Sequence, residues 1–122
     1  MWNRPTQKQL ERIPKLYATE IVPLREKVIH MHFFLGGCDW YIAEGQVEHD
    51  DFIMFGFAIL NGNLDCAEWG YISLNELIAL KVRPGIEVDR ELHWKPARAT
   101  DVKRIREAQG WKEEVDLNIP LI

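Results

Sequence analysis

The segment HMHFFLGGCDW, residues 30–40, contains the side chains best suited to metal chemistry in this sequence. His30 and His32 stand at alternate positions, and Asp39 follows a glycine pair. Two imidazoles on one strand face, with a carboxylate and a water, would suit zinc. The sequence has no helical His-Glu-x-x-His pattern and no paired Cys-x-x-Cys spacing. We therefore expect no cofactor and keep a metal-dependent hydrolase using these three residues as an alternative.

The two cysteines, Cys38 and Cys66, are expected to be structural thiols. A catalytic cysteine needs a neighbouring base and a setting that stabilises the thiolate. Cys38 is predicted to face apolar residues, and Cys66 follows the negative charge of Asp65, so neither position favours a thiolate. We expect no disulfide in a reducing compartment.

Charge is distributed unevenly along the chain, whose net charge is −4. No lysine or arginine occurs between Lys27 and Lys81. The carboxylates of this cation-free interval are Asp39, Glu44, Glu48, Asp50, Asp51, Asp65, Glu68 and Glu76. A sheet with so many unneutralised carboxylates would attract a basic protein partner and compete with nucleic acid for it.

The segment from Lys95 to Lys112 is basic and is flanked by Trp94 and Trp111. Its candidates for contact with phosphate groups are Lys103, Arg104 and Arg106. Direct DNA binding through this arm is a second alternative. We favour a C-terminal helix that docks on the acidic sheet through the same charges.

Hydrophobic alternation predicts the strand that carries the two histidines. In KVIHMHFFL, one row contains Ile29, Met31, Phe33 and Leu35 and is predicted to face the core. Gly36 and Gly37 permit a tight hairpin, which would pair Leu35 with Cys38 and His32 with Tyr41. A loop of two or four residues keeps these faces, whereas a loop of three would place Trp40 with the histidines.

The next two strands are predicted to form a patch of bare backbone. FIMFGFAIL is apolar on both rows and reads as a central strand, to which AEWGYI returns. In this register Gly56 faces Gly70, and Ala58 faces Glu68. Either a helix packs closely there or a partner binds. The predicted protein-contact residues are Gly56, Glu68, Gly70, Tyr71 and Tyr41. Exposed rings among Tyr41, Trp69 and Tyr71 would anchor the contact, and for any single ring a core position is the favoured alternative.

Capping signals place the helices. Thr6 and Gln9 form a capping box for a helix over residues 7–13, and Ser73 and Glu76 form one for LNELIALK. Thr100 and Asp101 are predicted to cap a last helix, which ends at Gln109 before Gly110. LYATEIVPL is predicted to be extended. IEVDRELHW is predicted to form an edge strand in which Arg90 points inward between acidic residues.

The fold class is therefore α+β, an antiparallel sheet of about five strands with short helices at the N-terminus, between strands and at the C-terminus. The 122 residues suit a single domain, with a core over about residues 10–96 and a basic C-terminal arm over residues 97–122. No segment approaches the ~20 apolar residues that span a bilayer, and no signal sequence begins the chain. We expect a cytoplasmic protein that binds no membrane.

Several short motifs follow in order: Phe55-Gly56, Glu68, Gly70-Tyr71-Ile72-Ser73, Glu76-Leu77, Asp89-Arg90-Glu91, Trp94 and Pro96. On these motifs the chain resembles the bacterial family DUF2958 from about Leu10 to Pro96. The resemblance implies a setting on plasmids, integrative elements and phages, beside genes for DNA transfer or host conflict. It implies no catalytic residue. We therefore expect a non-enzymatic accessory domain that binds a basic protein.

Overall fold

A five-stranded antiparallel sheet forms the centre of the fold in the computed structural model, which describes residues 1–112. Its strands are β2 (Met31–Leu35), β3 (Cys38–Glu48), β4 (Asp51–Ile59), β5 (Glu68–Ser73) and β8 (Asp89–Arg90). They lie in the order β5-β4-β3-β2-β8. Two further pairs join β1 (Val28–Ile29) to β9 (Ala97–Arg98) and β6 (Lys81–Arg83) to β7 (Ile86–Glu87).

Within residues 1–112, three α-helices accompany the sheet: α1 (Gln7–Glu11), α2 (Leu74–Ala79) and α3 (Lys103–Gln109). Short 3₁₀ turns occupy Leu24–Glu26, Leu64–Cys66 and Ala99–Asp101. The α+β class, the five-stranded sheet and the positions of the helices are confirmed. Within the described chain, no helix combines the length and apolar character that crossing a bilayer requires.

The predicted strand registers are confirmed. Leu35 pairs with Cys38 and His32 with Tyr41, so the glycine pair forms a two-residue loop. Gly56 lies opposite Gly70. Strand β4 is central, because β3 and β5 pair on its two sides. The buried side chains accordingly form two clusters, one on each face of the sheet, around Phe33 and Met54 and around Tyr41 and Phe57 respectively.

The core row of the first strand is interrupted at His30. All four predicted members of that row are buried, but Ile29 packs in the Tyr41 cluster and Met31 in the Phe33 cluster. His30 lies between β1 and β2, and its N–H donates to the Ile42 carbonyl at 2.8 Å. The alternation therefore changes phase there, because β1 leaves the main sheet to pair with β9.

Two of the three predicted helix caps are confirmed. The Thr6–Gln9 capping box is complete, whereas at the second helix only the Ser73 half of the predicted box is formed, its hydroxyl accepting from the Glu76 N–H at 3.1 Å. Both helices end two residues earlier than predicted, at Glu11 and Ala79. The cap predicted at Thr100 and Asp101 is wrong, since those residues belong to a 3₁₀ turn and α3 begins without a side-chain cap. The predicted end of α3 is confirmed, with Gly110 left-handed at φ 68°.

Two segments differ from the expected extended structure. LYATEIVPL forms a series of turns and no strand. IEVDRELHW is divided between β7 and β8, each two residues long, although β8 is an edge strand as expected. Arg90 makes no ion pair among the described residues, and its Nε donates to the Asn3 carbonyl at 2.9 Å.

Candidate functional site

One row of side chains crosses three strands on the Tyr41 face of the sheet. Glu44 in β3 lies opposite Phe55 in β4, which lies opposite Tyr71 in β5. The register of β3 shifts between Ile42 and Glu44. A bulge of this kind redirects the side chains that follow it. Here it places a carboxylate beneath the turns of residues 17–20.

Glu44 holds those turns in place. Its carboxylate accepts from the Tyr17 N–H at 2.9 Å, the Thr19 N–H at 3.1 Å and the Thr19 hydroxyl. The Lys27 ammonium lies 3.7 Å away and also donates to Thr19. Burial alone would raise the pKa of Glu44, but the hydrogen bonds from Thr19 and Tyr17 and the charge of Lys27 outweigh burial and lower it.

Tyr17 and Tyr71 meet above this buried pair. Tyr17 has a left-handed backbone, φ 68°, which is uncommon for a residue with a side chain. Its hydroxyl lies 2.8 Å from the Tyr71 hydroxyl. This hydrogen bond raises the pKa of Tyr71, and desolvation and nearby acidic groups add to the effect. Tyr17 is 61% exposed and Tyr71 is 60% exposed.

A cleft of about 250 Å³ opens between these rings and the sheet. We call it the tyrosine cleft. Its lining consists of Tyr17, Glu20, Leu24, Lys27, Glu44, Phe55 and Tyr71. Glu20 is exposed and its carboxylate makes no hydrogen bond or ion pair with residues 1–112. The cleft thus combines aromatic surface with one available anionic group.

The backbone of β5 borders the tyrosine cleft and is open on its outer side. The pair flanking a two-residue hairpin loop is hydrogen-bonded, and such pairs alternate with non-bonded pairs along antiparallel strands. Carried through β3 and β4, this alternation places Gly70 in a bonded pair with Gly56. The N–H and C=O groups of Trp69 and Tyr71 therefore face outward. Among residues 1–112 they have no backbone partner.

The opposite edge of the sheet is protected. Strand β8 has two residues, and the N-terminal segment lies along it. The Trp2 N–H donates to the Val88 carbonyl at 2.9 Å, and the Asn3 amide donates to Asp89 at 2.8 Å. Strand β5 is six residues long, with Glu68 as its only charged residue and no proline. Proteins usually block such an edge unless another chain pairs with it.

The sequence profile of DUF2958, described as a protein family of unknown function, matches residues 15–109. The chain belongs to this family. Searches of curated proteins and of solved structures returned no match. The match continues beyond Pro96 through α3, so the family's extent includes the basic helix. It also includes both tyrosines of the tyrosine cleft.

In this DUF2958 chain, the predicted glycine patch is half covered. A Cβ atom on Gly56 would lie 2.0 Å from the Tyr41 carbonyl oxygen, so the backbone of β3 fills that space. A Cβ atom on Gly70 would meet nothing within 4 Å. Glu68 is exposed beside it. The structure therefore brings Gly70, Glu68 and Tyr71 together on one accessible strand, with Gly56 behind them.

Tyr41 lies elsewhere, under an aromatic cluster. It is 4% exposed, which agrees with the core alternative and not with an exposed contact ring, and it stacks on His32 with centroids 4.4 Å apart. Trp94 packs against both rings. Burial, followed by the charge of Asp39, raises the pKa of Tyr41. Tyr41 is therefore a core residue of this chain.

The fold brings two of the three proposed metal ligands together, His32 and Asp39, but forms no metal-binding group with His30 among residues 1–112. His32 is buried and its two ring nitrogens lie 2.8 Å from Asp39 and 3.2 Å from Glu91. His30 lies at the break before β2, and burial lowers its pKa. Over residues 1–112, no three histidine, cysteine or acidic side chains are grouped to hold a metal ion. The metal-dependent hydrolase has no supporting geometry in this part of the chain.

The basic segment packs against the sheet. Ile105 of α3 is fully buried in the Tyr41 cluster, and Arg104 lies 3.5 Å from Asp39. Lys103 lies 3.8 Å from Glu107, and Arg106 donates to the Thr100 carbonyl at 2.9 Å. These contacts favour the docked helix over a free DNA-binding arm. Residues 113–122 of the predicted arm lie outside the described residues.

Two carboxylates of the cation-free interval are neutralised by cations that lie outside it in the sequence. Asp39 meets Arg104, and Glu44 meets Lys27. Asp51 accepts from Ser73 and from the Asn75 N–H, and these bonds outweigh its desolvation and lower its pKa. The description of the interval as unneutralised is therefore wrong for Asp39 and Glu44, whereas Asp51 is stabilised as a charged carboxylate by uncharged partners. Carboxylates that stay exposed are Glu48, Asp50, Asp65, Glu68 and Glu76.

Sequence reasoning missed the residues that build the tyrosine cleft. Tyr17 falls in the segment predicted to be extended, and Lys27 was treated only as the boundary of the acidic interval. Glu44 counted as one more surface carboxylate. The sequence signal that pointed to this site was Tyr71, which belongs to the family motif and was a candidate exposed aromatic contact.

Proposed function

We propose that this protein is a non-enzymatic interaction domain that binds an extended, basic segment of another protein along the outer edge of β5. In such binding the partner adds a strand to the sheet, and main-chain hydrogen bonds supply affinity. The open N–H and C=O groups of Trp69 and Tyr71 are the observation that carries the proposal. The opposite edge of the same sheet, at β8, is protected, so the open edge at β5 differs from it within one sheet.

Charge and surface chemistry support a basic partner. Glu68 lies on β5 itself, Glu20 lines the tyrosine cleft, and Glu48 is exposed at the end of β3. Exposed tyrosine rings add apolar contact and attract cations through their faces. Helix α3 reaches β5 through the hydrogen bond that the Trp69 indole N–H donates to Gln109 at 3.0 Å, but its cations Lys103 and Arg104 pair with Glu107 and Asp39.

We further propose a cytoplasmic setting on plasmids, phages or integrative elements, where the partner would be a DNA-binding protein. The family resemblance supports this setting. A basic segment held on β5 would be withdrawn from nucleic acid, because the same cations cannot pair with carboxylates and phosphates at once.

Replacing Tyr71 by proline tests strand addition. The probe is a short capped peptide alternating threonine and arginine, followed by isothermal calorimetry. Tyr71→Pro and Tyr71→Ala both remove the ring, but only proline removes the outward N–H, which costs no bond to β4. We expect the proline variant to bind about fivefold more weakly than the alanine variant, the cost of one hydrogen bond.

N-methylation of the peptide supplies a second measurement that leaves the protein unchanged. Two peptides are compared, one with methyl groups on the odd-numbered amides and one with methyl groups on the even-numbered amides. The pattern that blocks the N–H groups facing β5 should abolish binding, and the other pattern should leave binding intact. Equal binding by all these peptides, or by the two Tyr71 variants, would contradict strand addition. Self-association through β5 with no peptide binding would identify a second copy as the occupant and overturn the basic partner.

A further inference from the structure

We propose that the tyrosine cleft receives one arginine side chain of the bound segment and thereby sets its register on β5. This inference rests on the proposed function and names the chemistry of its specificity. The cleft, the two exposed rings and the carboxylate of Glu20 are the features that carry it.

The position of the cleft suits a side chain from an added strand. Tyr71 has its backbone at the open edge and its ring in the cleft lining. Residues directly opposite each other on antiparallel strands place their side chains on the same face, with Cβ atoms about 5 Å apart. A partner residue opposite Tyr71 would therefore start beside its ring, and a long side chain would reach the cleft.

The lining fits a planar cation. Tyr17, Phe55 and Tyr71 supply ring surface, and the Phe55 and Tyr71 centroids lie 5.8 Å apart. The two tyrosine hydroxyls and the Glu20 carboxylate supply acceptors. A guanidinium group stacks on aromatic faces and carries five donors in a fixed plane. A lysine ammonium carries three donors on a flexible stem and does not stack, so arginine is the better match.

The cation that lines the cleft does not oppose this assignment. Lys27 is 5% exposed, donates to both oxygens of Thr19 and lies against Glu44. The positive charge of Lys27 is therefore compensated by Glu44, within the lining of the cleft. Glu20 remains without a partner in residues 1–112, so the net charge offered to a ligand is negative.

Binding of peptides with a single central arginine tests the inference. In a capped threonine–valine background, the central residue is arginine, its neutral isostere citrulline, or lysine. Wild-type protein should bind the arginine peptide about tenfold more tightly than the citrulline peptide, as expected for a partly desolvated cation–π contact with a carboxylate. The lysine peptide should fall between them.

Protein variants test whether the tyrosine cleft is responsible for the preference for the arginine peptide. In Tyr17→Ala combined with Glu20→Gln, the arginine and citrulline peptides should bind within about twofold of each other. Glu107→Gln removes an exposed carboxylate on α3 and should keep the full difference. Melting temperatures of all variants verify folding, and Glu20→Gln alone, a surface change, should retain the wild-type melting temperature and reduce the difference.

The outcomes separate the two proposals. Equal binding of arginine and citrulline peptides by wild-type protein would overturn the arginine site while leaving strand addition in place. A preference for arginine that survives in the double variant would also overturn it, since another site would then be responsible. Equal peptide binding by the Tyr71→Pro and Tyr71→Ala variants would overturn the proposed function itself.

Discussion

Gly56→Ala is expected to lower the free energy of unfolding by about 3 kcal/mol, the upper range for overpacking a filled core. The added Cβ would lie 2.0 Å from the Tyr41 carbonyl oxygen and 3.1 Å from the Ile42 Cα. Both atoms belong to the backbone of β3, so no side-chain rotation relieves the contact. Urea unfolding followed by tryptophan fluorescence measures the change.

Gly70→Ala is the matched control, because Gly70 is the cross-strand partner of Gly56. Its added Cβ would meet nothing within 4 Å. The free energy of unfolding should therefore change by less than about 0.5 kcal/mol. If both alanine variants lose equal stability, the close approach of β3 to Gly56 is incorrect.

Glu44→Ala is expected to cost about 3–5 kcal/mol, because it leaves the buried Lys27 ammonium without its counter-charge. Glu44 is 4% exposed and Lys27 5% exposed. The substitution also removes the acceptor for the N–H groups of Tyr17 and Thr19. Glu48→Ala, on the exposed end of the same strand, should change stability by less than about 0.5 kcal/mol.

A second substitution separates the charge from the hydrogen bonds. Glu44→Leu with Lys27→Met removes both charges and should recover part of the loss, because an apolar pair has no unpaired ion. Full recovery would show that the turn at Tyr17 does not depend on Glu44. No recovery at all would show that the Lys27 charge contributes nothing to the penalty.

The same carboxylate predicts a pH dependence. The folded state lowers the pKa of Glu44 below its ordinary value of 4.5. Its contribution is therefore fully present above about pH 4.5 and is lost as the pH falls through the lower folded-state pKa. Glu44→Gln should show a shallower loss of stability with acid than wild type. A residual slope is expected from Asp51, whose pKa is also lowered.

Local patterns predicted the parts of the fold that depend on neighbouring residues. Alternation and the glycine pair placed His32 opposite Tyr41 and Cys38 on the Phe33 side, because strand period and turn length determine both. The Ser73 cap depends only on the next three residues and was equally accessible. The Gly56–Gly70 pair followed from the same register argument.

Long-range contacts were beyond such patterns. Lys27 neutralises Glu44 and Arg104 neutralises Asp39 only because distant segments fold together, so charge counts along the chain overstated the acidity of the sheet. The turns of residues 15–22 contain no strong turn signal, and a left-handed Tyr17 is unexpected from sequence. The tyrosine cleft depends on both features.

Amide hydrogen exchange of β5, measured by NMR on the full chain, tests the central claim most directly. Without ligand, the outward N–H groups of Trp69 and Tyr71 should exchange much faster than that of Gly70, which bonds to β4. With the threonine–arginine peptide, these two amides should become protected while Gly70 changes little. Strong protection of Tyr71 without peptide, or no added protection with it, would contradict an open edge that binds an extended basic segment.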